Sequence, residues 1–143
     1  MSFTPGKSGI DEYKQINTAS GIEEFTPHRL IQMLMEGVLE QLSKAIGMME
    51  RGDVAGKGAC IGKAISIVEG LRTSLDKGAG GEIADNLDNL YEYAEHRLLE
   101  ANLHNKPEYL TEVANLIIQI KSAWDEIPQE IIQEHAEKMK NEK

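Results

Sequence analysis

Three short breaks divide most of this chain into stretches with helical periodicity. The breaks are Gly52-Asp53, the glycine-rich run 78–81, and the run 104–107 that ends in Pro107. Between them, apolar residues recur every three or four positions, which is the spacing of one face of an α-helix. No stretch alternates apolar and polar residues in the way typical of a half-buried strand. The sequence therefore predicts an all-α protein with four long helices.

The shortness of these breaks also predicts how the helices pack. Helices of about 20–25 residues are roughly 30–38 Å long, and a short connection returns each helix alongside the previous one. We expect an antiparallel up-down-up-down four-helix bundle over residues 1–128. Within it, residues 10–17 are expected to form a short helix and residues 1–9 to be disordered. The charged tail, residues 129–143, is predicted to be a frayed helix or disordered.

The first long helix carries more apolar residues than one buried stripe needs. Thr26 is a favoured N-cap residue, and Pro27 suits the first helical position. Two apolar rows lie side by side on the helix: Leu30, Leu34, Val38, Leu42, Ala45 and Met49, and beside them Ile31, Met35, Leu39 and Ile46. So wide a face indicates either a helix at the centre of a bundle, or one that meets the core on one flank and a partner on the other.

Composition argues against several classes of partner. The net charge is −9, whereas binding to nucleic acid or to an anionic membrane surface relies on clustered lysine and arginine. No apolar run reaches the roughly 18 residues of a membrane span, and the N-terminus lacks a signal-peptide pattern, so we expect no membrane insertion. The single cysteine, Cys60, suits a reducing cytosol. These features predict a cytoplasmic protein.

The sequence nominates no active site. A di-iron site in a helical bundle needs Glu-x-x-His on two helices. The residues three positions before the four histidines are Phe25, Tyr93, Ala101 and Ile132. The glycines at 56–62 lack the spacing of a dinucleotide fingerprint, and those at 78–81 lack the lysine of a phosphate loop. We therefore expect no enzymatic activity, no metal and no cofactor.

Two further features concern packing. Four methionines lie on the first long helix, namely Met33, Met35, Met48 and Met49. Methionine fills cores but also lines adaptable grooves, and on so wide a face this cluster favours a binding groove.

Gly56, Gly58 and Gly62 each weaken the second helix by roughly 1 kcal/mol against alanine. That half of the helix is therefore held by packing, or it admits another backbone at close range.

Four sequence blocks then occur in a characteristic order. The first begins at Pro27 and reads P-x-x-L-I-x-M-L-x-x-G, and the second runs from K-A-I-x-I-V to S-L-D. The third reads G-G-E-I-A-x-N-L-x-x-L-Y-x-Y, and the fourth is R-L-L-x-A-N followed by A-W. Together these blocks resemble the flagellin export chaperones, the FliS family, over about Ile10 to Pro128.

The resemblance implies an antiparallel helical bundle and a cytosolic chaperone that uses no nucleotide or metal. Members of the family bind the disordered C-terminal segment of flagellin, prevent its premature polymerisation, and help deliver it to the cytoplasmic domain of the flagellar type III export gate. In this chain the resemblance implies partner contacts by Ile10 and Tyr13. The expected groove lies on the first long helix and is lined by Leu30, Ile31, Leu34, Met35, Val38 and Leu42.

A second interpretation remains compatible with the same residues. A helical adaptor or regulator of another flagellar protein, such as an anti-sigma factor, would also bind an amphipathic helix in an apolar groove. The sequence does not separate these two functions. It also leaves open whether the protein is a monomer or a weak dimer, and which part of the flagellin segment it would bind.

Overall fold

The computed structural model describes residues 25–141, and these residues form helices joined by short turns. There are five α-helices over that range: α1 (Pro27–Glu50), α2 (Val54–Thr73), α3 (Lys77–His104), α4 (Pro107–Asp125) and α5 (Gln129–Asn141). No strand occurs between residues 25 and 141, so the prediction of an all-α protein is confirmed for this range. The short helix expected at 10–17 and the disorder expected at 1–9 lie outside the described residues.

The chain divides into two units. One unit comprises residues 32–126 and contains most of α1 together with α2, α3 and α4. The other comprises residues 1–31 and 127–143, whose described part contains the start of α1 and all of α5. The tail that the sequence left as a frayed helix or a disordered segment is helical from Gln129 to Asn141.

The first two helices begin where polar side chains cap them. The hydroxyl of Thr26 accepts a hydrogen bond from the backbone N–H of Arg29 at 3.1 Å. After α1, Gly52 has a φ of 72°, a left-handed conformation that glycine adopts without steric cost. The carboxylate of Asp53 then accepts from the N–H of Gly56 at 2.8 Å. Both caps satisfy backbone donors that the first turn of a helix leaves unpaired.

Helix α3 is longer than the sequence predicts because two helical segments run together. The carboxylate of Asp76 caps the first segment by accepting from the N–H of Ala79 at 3.0 Å. Gly81 then interrupts the helix with a φ of 53° and a ψ of −128°. The helix predicted to start at about Glu82 corresponds to the part of α3 after this interruption.

A buried lysine closes the other end of α3. The ammonium of Lys57, on α2, donates to the carbonyl oxygen of Asn102 at 3.0 Å and to the side-chain oxygen of Asn105 at 3.3 Å. Asn105 itself has a φ of 54° and ends the helix in a left-handed conformation. A cation at this position satisfies terminal carbonyl groups and interacts favourably with the helix dipole.

The core of the 32–126 unit takes one face from each of its four helices. The fully covered side chains are Met35, Val38, Leu42 and Ala45 on α1, Ile61, Ala64, Val68 and Leu71 on α2, Tyr91, Ala94, Leu98 and Ala101 on α3, and Leu110, Val113 and Ile117 on α4. Burial raises the pKa of the Tyr91 hydroxyl to about 12. Contributions from all four helices to one apolar interior are consistent with a helical bundle.

Polar contacts join α1 to α4 along the edge of this core. The amide of Gln32 donates to the carboxylate of Asp125 at 2.7 Å. One turn further along α1, the carboxylate of Glu36 pairs with the ammonium of Lys121 at 3.7 Å. Helices α1 and α4 are therefore neighbours within the 32–126 unit.

Of the three glycines that weaken the start of α2, the structure requires only Gly56. A Cβ atom there would lie 2.6 Å from a carboxylate oxygen of Asp53 and 2.8 Å from the sulfur of Met48. At Gly58 the nearest described atom outside its helix turn is the side-chain oxygen of Asn102, at an ordinary 4.0 Å. At Gly62 no atom of a described neighbour lies within 4 Å. Close packing against the α1–α2 turn thus explains one glycine of the three.

We expect Gly56→Ala and Gly62→Ala to change stability in opposite directions. Gly62→Ala should raise the free energy of unfolding by about 0.5–1 kcal/mol, because alanine favours the helix and the site has room. Gly56→Ala should lower it by roughly 1 kcal/mol, because the new methyl group displaces the capping carboxylate of Asp53. Urea denaturation of both variants measures the difference. Equal stabilisation by the two substitutions would contradict the packing assigned to Gly56.

Candidate functional site

Three of the six residues predicted to line a groove on α1 belong to the core instead. Met35, Val38 and Leu42 are fully buried, so in this conformation they offer no surface to a partner. The assignment of these three residues to an open groove is therefore corrected. The physical reason is that these three side chains lie on the part of the wide apolar face that packs into the interior, whereas Leu34, Leu39 and Ile46 beside them stay half-buried.

The other predicted contact residues keep part of their surface. Leu34, in the 32–126 unit, is half-buried. Leu30 and Ile31, in the terminal unit, are also half-buried. Ile10 and Tyr13 lie outside the described residues.

Exposed apolar side chains concentrate on α3. Five large residues of this helix are exposed: Ile83, Leu90, Tyr93, Leu99 and Leu103. The most exposed are Ile83 at 72% and Leu103 at 78%. Single exposed apolar residues are ordinary, whereas exposed apolar residues that adjoin one another indicate an interaction surface. We call these five residues the α3 surface.

The α3 surface has two parts, which lie on opposite flanks of the helix. Tyr93 contacts Glu112 of α4, so the flank that carries Ile83, Leu90 and Tyr93 faces toward α4. Leu99 is seven residues, or about two turns, after Glu92, and Glu92 pairs with Arg72 of α2 at 3.3 Å. Leu99, with Leu103 one turn later, therefore lies on the flank toward α2.

An arginine of α3 organises the flank toward α4. Arg97 donates to the carboxylate of Glu112 at 2.6 Å, and its guanidinium lies 3.7 Å from the centre of the Tyr109 ring. The hydroxyl of Tyr93 donates to the other oxygen of the same carboxylate. These hydrogen bonds, first from Tyr93 and then from Arg97, lower the pKa of Glu112, and the bond to Glu112 raises the pKa of Tyr93. One carboxylate thus fixes two side chains of α3 against α4.

An arginine of α2 organises the other flank. Arg72 pairs with Asp88 at 2.9 Å and with Glu92 and Glu95 at 3.3 Å each, all three on α3. Lys77 adds a second cation 3.1 Å from Asp88. The hydrogen bonds from Arg72 and then Lys77 hold the pKa of Asp88 below its ordinary value. The two arginine clusters together fix α3 against α2 and against α4.

Part of the α3 surface could have been found from the sequence. Tyr93, Leu99 and Leu103 fall outside the stripe that helical periodicity predicts to face the core, which consists of Ile83, Leu87, Leu90, Tyr91, Ala94, Leu98 and Ala101. Apolar residues off that stripe are a signal of exposed surface. Ile83 and Leu90, by contrast, lie on the predicted stripe. Periodicity gives the direction of a side chain but not what covers it, so it does not reveal their exposure.

The described residues contain no arrangement of the kind needed for metal binding. Between residues 25 and 141, no three histidine, cysteine, aspartate or glutamate side chains are close enough together to hold a metal ion. Cys60 is a buried free thiol. Within the same range, none of the helices combines the length and hydropathy required to span a membrane. The described residues thus form a helical protein with exposed apolar side chains on α3.

Comparison with known proteins specifies the family. Residues 9–131 match the family described as Flagellar protein FliS. The chain is 50% identical over 118 residues to the flagellar secretion chaperone FliSB of Pseudomonas aeruginosa, covering 82% of this chain and 94% of that protein. It is 44% identical over 121 residues to the flagellar secretion chaperone FliS of Salmonella typhimurium, covering 84% and 90% of the two chains. The corresponding protein of Vibrio cholerae is 39% identical over 124 residues, covering 87% and 91%.

The chain therefore belongs to the FliS family of flagellar secretion chaperones. The resemblance inferred from the four sequence blocks is confirmed, and with it the assignment to chaperones of flagellum biogenesis.

We expect Glu112→Gln to destabilise the protein at pH 7 and to matter less in acid. A carboxyl whose pKa is lowered by folding contributes stability above its ordinary pKa, and this contribution disappears as the pH falls through the lowered value. Denaturation curves at pH 7 and at about pH 2.5 should therefore show a smaller difference between wild type and variant in acid.

Glu40→Gln is the matched control for this measurement. Glu40 forms an exposed ion pair with Lys44 at 3.3 Å, and such pairs contribute little to stability. Its replacement should have a small effect at both pH values. A destabilisation by Glu112→Gln that is the same at both pH values would contradict the role assigned to the Glu112 carboxylate.

Proposed function

We propose that this protein is an export chaperone for flagellin. It binds the disordered C-terminal segment of flagellin in the cytoplasm, prevents premature polymerisation, and helps deliver the segment to the cytoplasmic domain of the flagellar type III export gate. Membership of the FliS family supports this proposal. The structural observation that carries it is the exposure of apolar side chains on both flanks of α3. A disordered client can bury such a surface as it becomes ordered.

The physical state of the α3 surface favours this kind of binding. The Arg72 and Arg97 clusters fix α3 on both flanks, so the exposed side chains project from a backbone that is already ordered. A preorganised surface leaves most of the ordering cost with the client. That cost keeps the affinity moderate for a given buried area, which suits a chaperone that must release its client at the export gate.

We assign the principal client contacts to the α3 surface. Leu34, and separately Leu30 and Ile31, remain proposed contacts because each keeps some exposed surface. Ile10 and Tyr13 are proposed contacts on the resemblance to the family. The buried residues Met35, Val38 and Leu42 contribute to the core beneath and are not assigned to the client.

We further infer that α1 to α4 form the antiparallel up-down-up-down bundle that the sequence predicts. A step from Gln32 to Glu36 along α1 corresponds to a step backwards from Asp125 to Lys121 along α4. The same reversal relates α2 to α3, where Lys57 contacts Asn102 and Arg72 contacts Asp88. Contacts that run in opposite chain directions are what antiparallel neighbours produce.

We also infer that the protein works without catalysis, metal or cofactor. A chaperone of this kind acts by burying apolar surface of its client, which requires no chemical step. Both the family described as Flagellar protein FliS and the related proteins described as flagellar secretion chaperones fit this inference.

Calorimetric titration with a peptide of the flagellin C-terminal segment tests the proposal. We expect one site, a large negative heat-capacity change, and a gain of helix in the circular dichroism of the mixture, because folding of the peptide is coupled to apolar burial. The double variant Leu99→Ser/Leu103→Ser should weaken binding about tenfold or more, since each substitution removes buried apolar area. Ile118→Ser, at a residue 48% exposed on α4, is the matched control and should bind more nearly like wild type.

The possible results distinguish an error in the proposed client from an error in the proposed binding site. No binding by the wild-type protein would overturn flagellin as the client and direct attention to another flagellar protein, such as an anti-sigma factor. Wild-type affinity in the α3 double variant would show that the client does not bind the flank of α3 that carries Leu99 and Leu103. Tyr13→Asp and Leu34→Asp then test the remaining proposed contacts, and each should weaken binding while the far-ultraviolet spectrum stays helical.

A further inference from the structure

The terminal unit contains a cavity between the start of α1 and α5. Its volume is about 270 Å³. The apolar part of its lining consists of Phe25 and Pro27, at the beginning of α1, and of Ala136 and Met139 on α5. An engineered apolar cavity of roughly 150 Å³ is already large enough to hold a benzene molecule. The cavity therefore has room for one large apolar side chain.

Three polar side chains of α5 line the same cavity. Gln133, Glu137 and Lys140 contribute an amide, a carboxylate and an ammonium group. They are four and three residues apart, so they follow one another along one side of the helix. The cavity thus offers hydrogen-bond donors and an acceptor beside its apolar lining. A ligand that matches all of these groups combines an apolar part, an anionic group and an N–H donor.

The last residue of a polypeptide chain offers this combination. Its α-carboxylate accepts hydrogen bonds from an ammonium and an amide, and its backbone N–H donates to a carboxylate. Capture of a chain terminus is also a recurring mode of peptide recognition. The client proposed above is itself the C-terminal segment of a protein, so a free carboxylate is present at its end.

The local charge at this end of α5 favours an anion. Residues 138–141 include Lys138 and Lys140 and no acidic residue. The chain as a whole carries a net charge of −9, so most of its surface repels anions. The lysines in the last turn of α5 therefore give the cavity a local charge that a carboxylate complements.

We propose that this cavity binds the C-terminal end of the client. An apolar side chain at or next to the last residue of flagellin fills the space between Phe25 and Ala136, and the α-carboxylate pairs with Lys140. Gln133 donates a second hydrogen bond to that carboxylate, and Glu137 accepts one from the backbone N–H. The identity of the client rests on the proposed function, whereas the mode of recognition rests on the groups that line the cavity.

Two peptides that differ only at their last group test the role of the carboxylate. Both carry the flagellin C-terminal segment, one with a free carboxylate and one amidated, and each is titrated into the full chain in a calorimeter. The wild-type protein should bind the amidated peptide about three- to tenfold more weakly, because amidation removes the charge that pairs with Lys140. The difference should shrink at high salt, which screens such a pair.

Two lysine variants locate this effect. Lys140→Met removes the ammonium group but keeps a long side chain, so this variant should bind the two peptides with about equal affinity. Lys138→Met, in the same turn but outside the cavity lining, is the matched control and should keep the full difference between the peptides. The cycle formed by Lys140→Met and amidation isolates this one contact from a general effect of charge.

Ala136→Phe tests the apolar part of the site. The larger side chain fills the cavity and should weaken binding of the free-carboxylate peptide about tenfold, because the side chain of the client no longer fits. His135→Phe is the matched control, since it places the same side chain on an exposed part of α5 that does not line the cavity. Circular dichroism of both variants verifies that they stay helical.

The results distinguish a failure of this proposal from a failure of the proposed function. No binding of either peptide by the wild-type protein would overturn flagellin as the client. Equal affinity of the wild-type protein for the two peptides would overturn recognition of the carboxylate and leave the client in place. A difference that persists in Lys140→Met, or wild-type affinity in Ala136→Phe, would show that the end of the client binds outside this cavity.

Discussion

Burial of the apolar face of α1 is the constraint on which the 32–126 unit depends. Met35, Val38, Leu42 and Ala45 are covered completely, so this helix cannot be removed without exposing the interior that α2, α3 and α4 share. Apolar burial is the main favourable term in folding, and its magnitude follows the area removed from water. Beside these buried residues α1 keeps half-buried side chains such as Leu34, and the exposed large apolar side chains of the unit lie mainly on a different helix.

That helix, α3, is fixed by charged clusters whose role is mainly geometric. Exposed ion pairs contribute little to stability one at a time, but Arg72 and Arg97 each join several groups and lie on opposite flanks. Arg97 is further held by the Tyr109 ring and by the carboxylate that also binds Tyr93. The clusters thus restrict how α3 can rotate or slide, and the exposed leucines keep a defined position.

How much of the fold and of the candidate site could be predicted from the sequence differs between local and long-range features. The N-caps Thr26 and Asp53 and the helix start at Pro107 could be read from the sequence, because a cap depends only on residues within one turn. The burial of Met35 could not, because periodicity gives the direction of a side chain and not the depth of what covers it. Leu99 and Leu103 were readable in principle as apolar residues off the core stripe. Membership of the family was readable because it rests on sequence blocks.

The link made by Lys57 has a consequence for how sequences of this kind can diverge. Its ammonium binds the main-chain carbonyl of Asn102, which every amino acid possesses. A substitution at position 102 therefore leaves this hydrogen bond available, and no compensating change at Lys57 is needed. The hydrogen bond to Asn102 is consequently a property of backbone shape, whereas the one to Asn105 depends on its side chain. A search for correlated substitutions between positions 57 and 102 would therefore not detect this hydrogen bond.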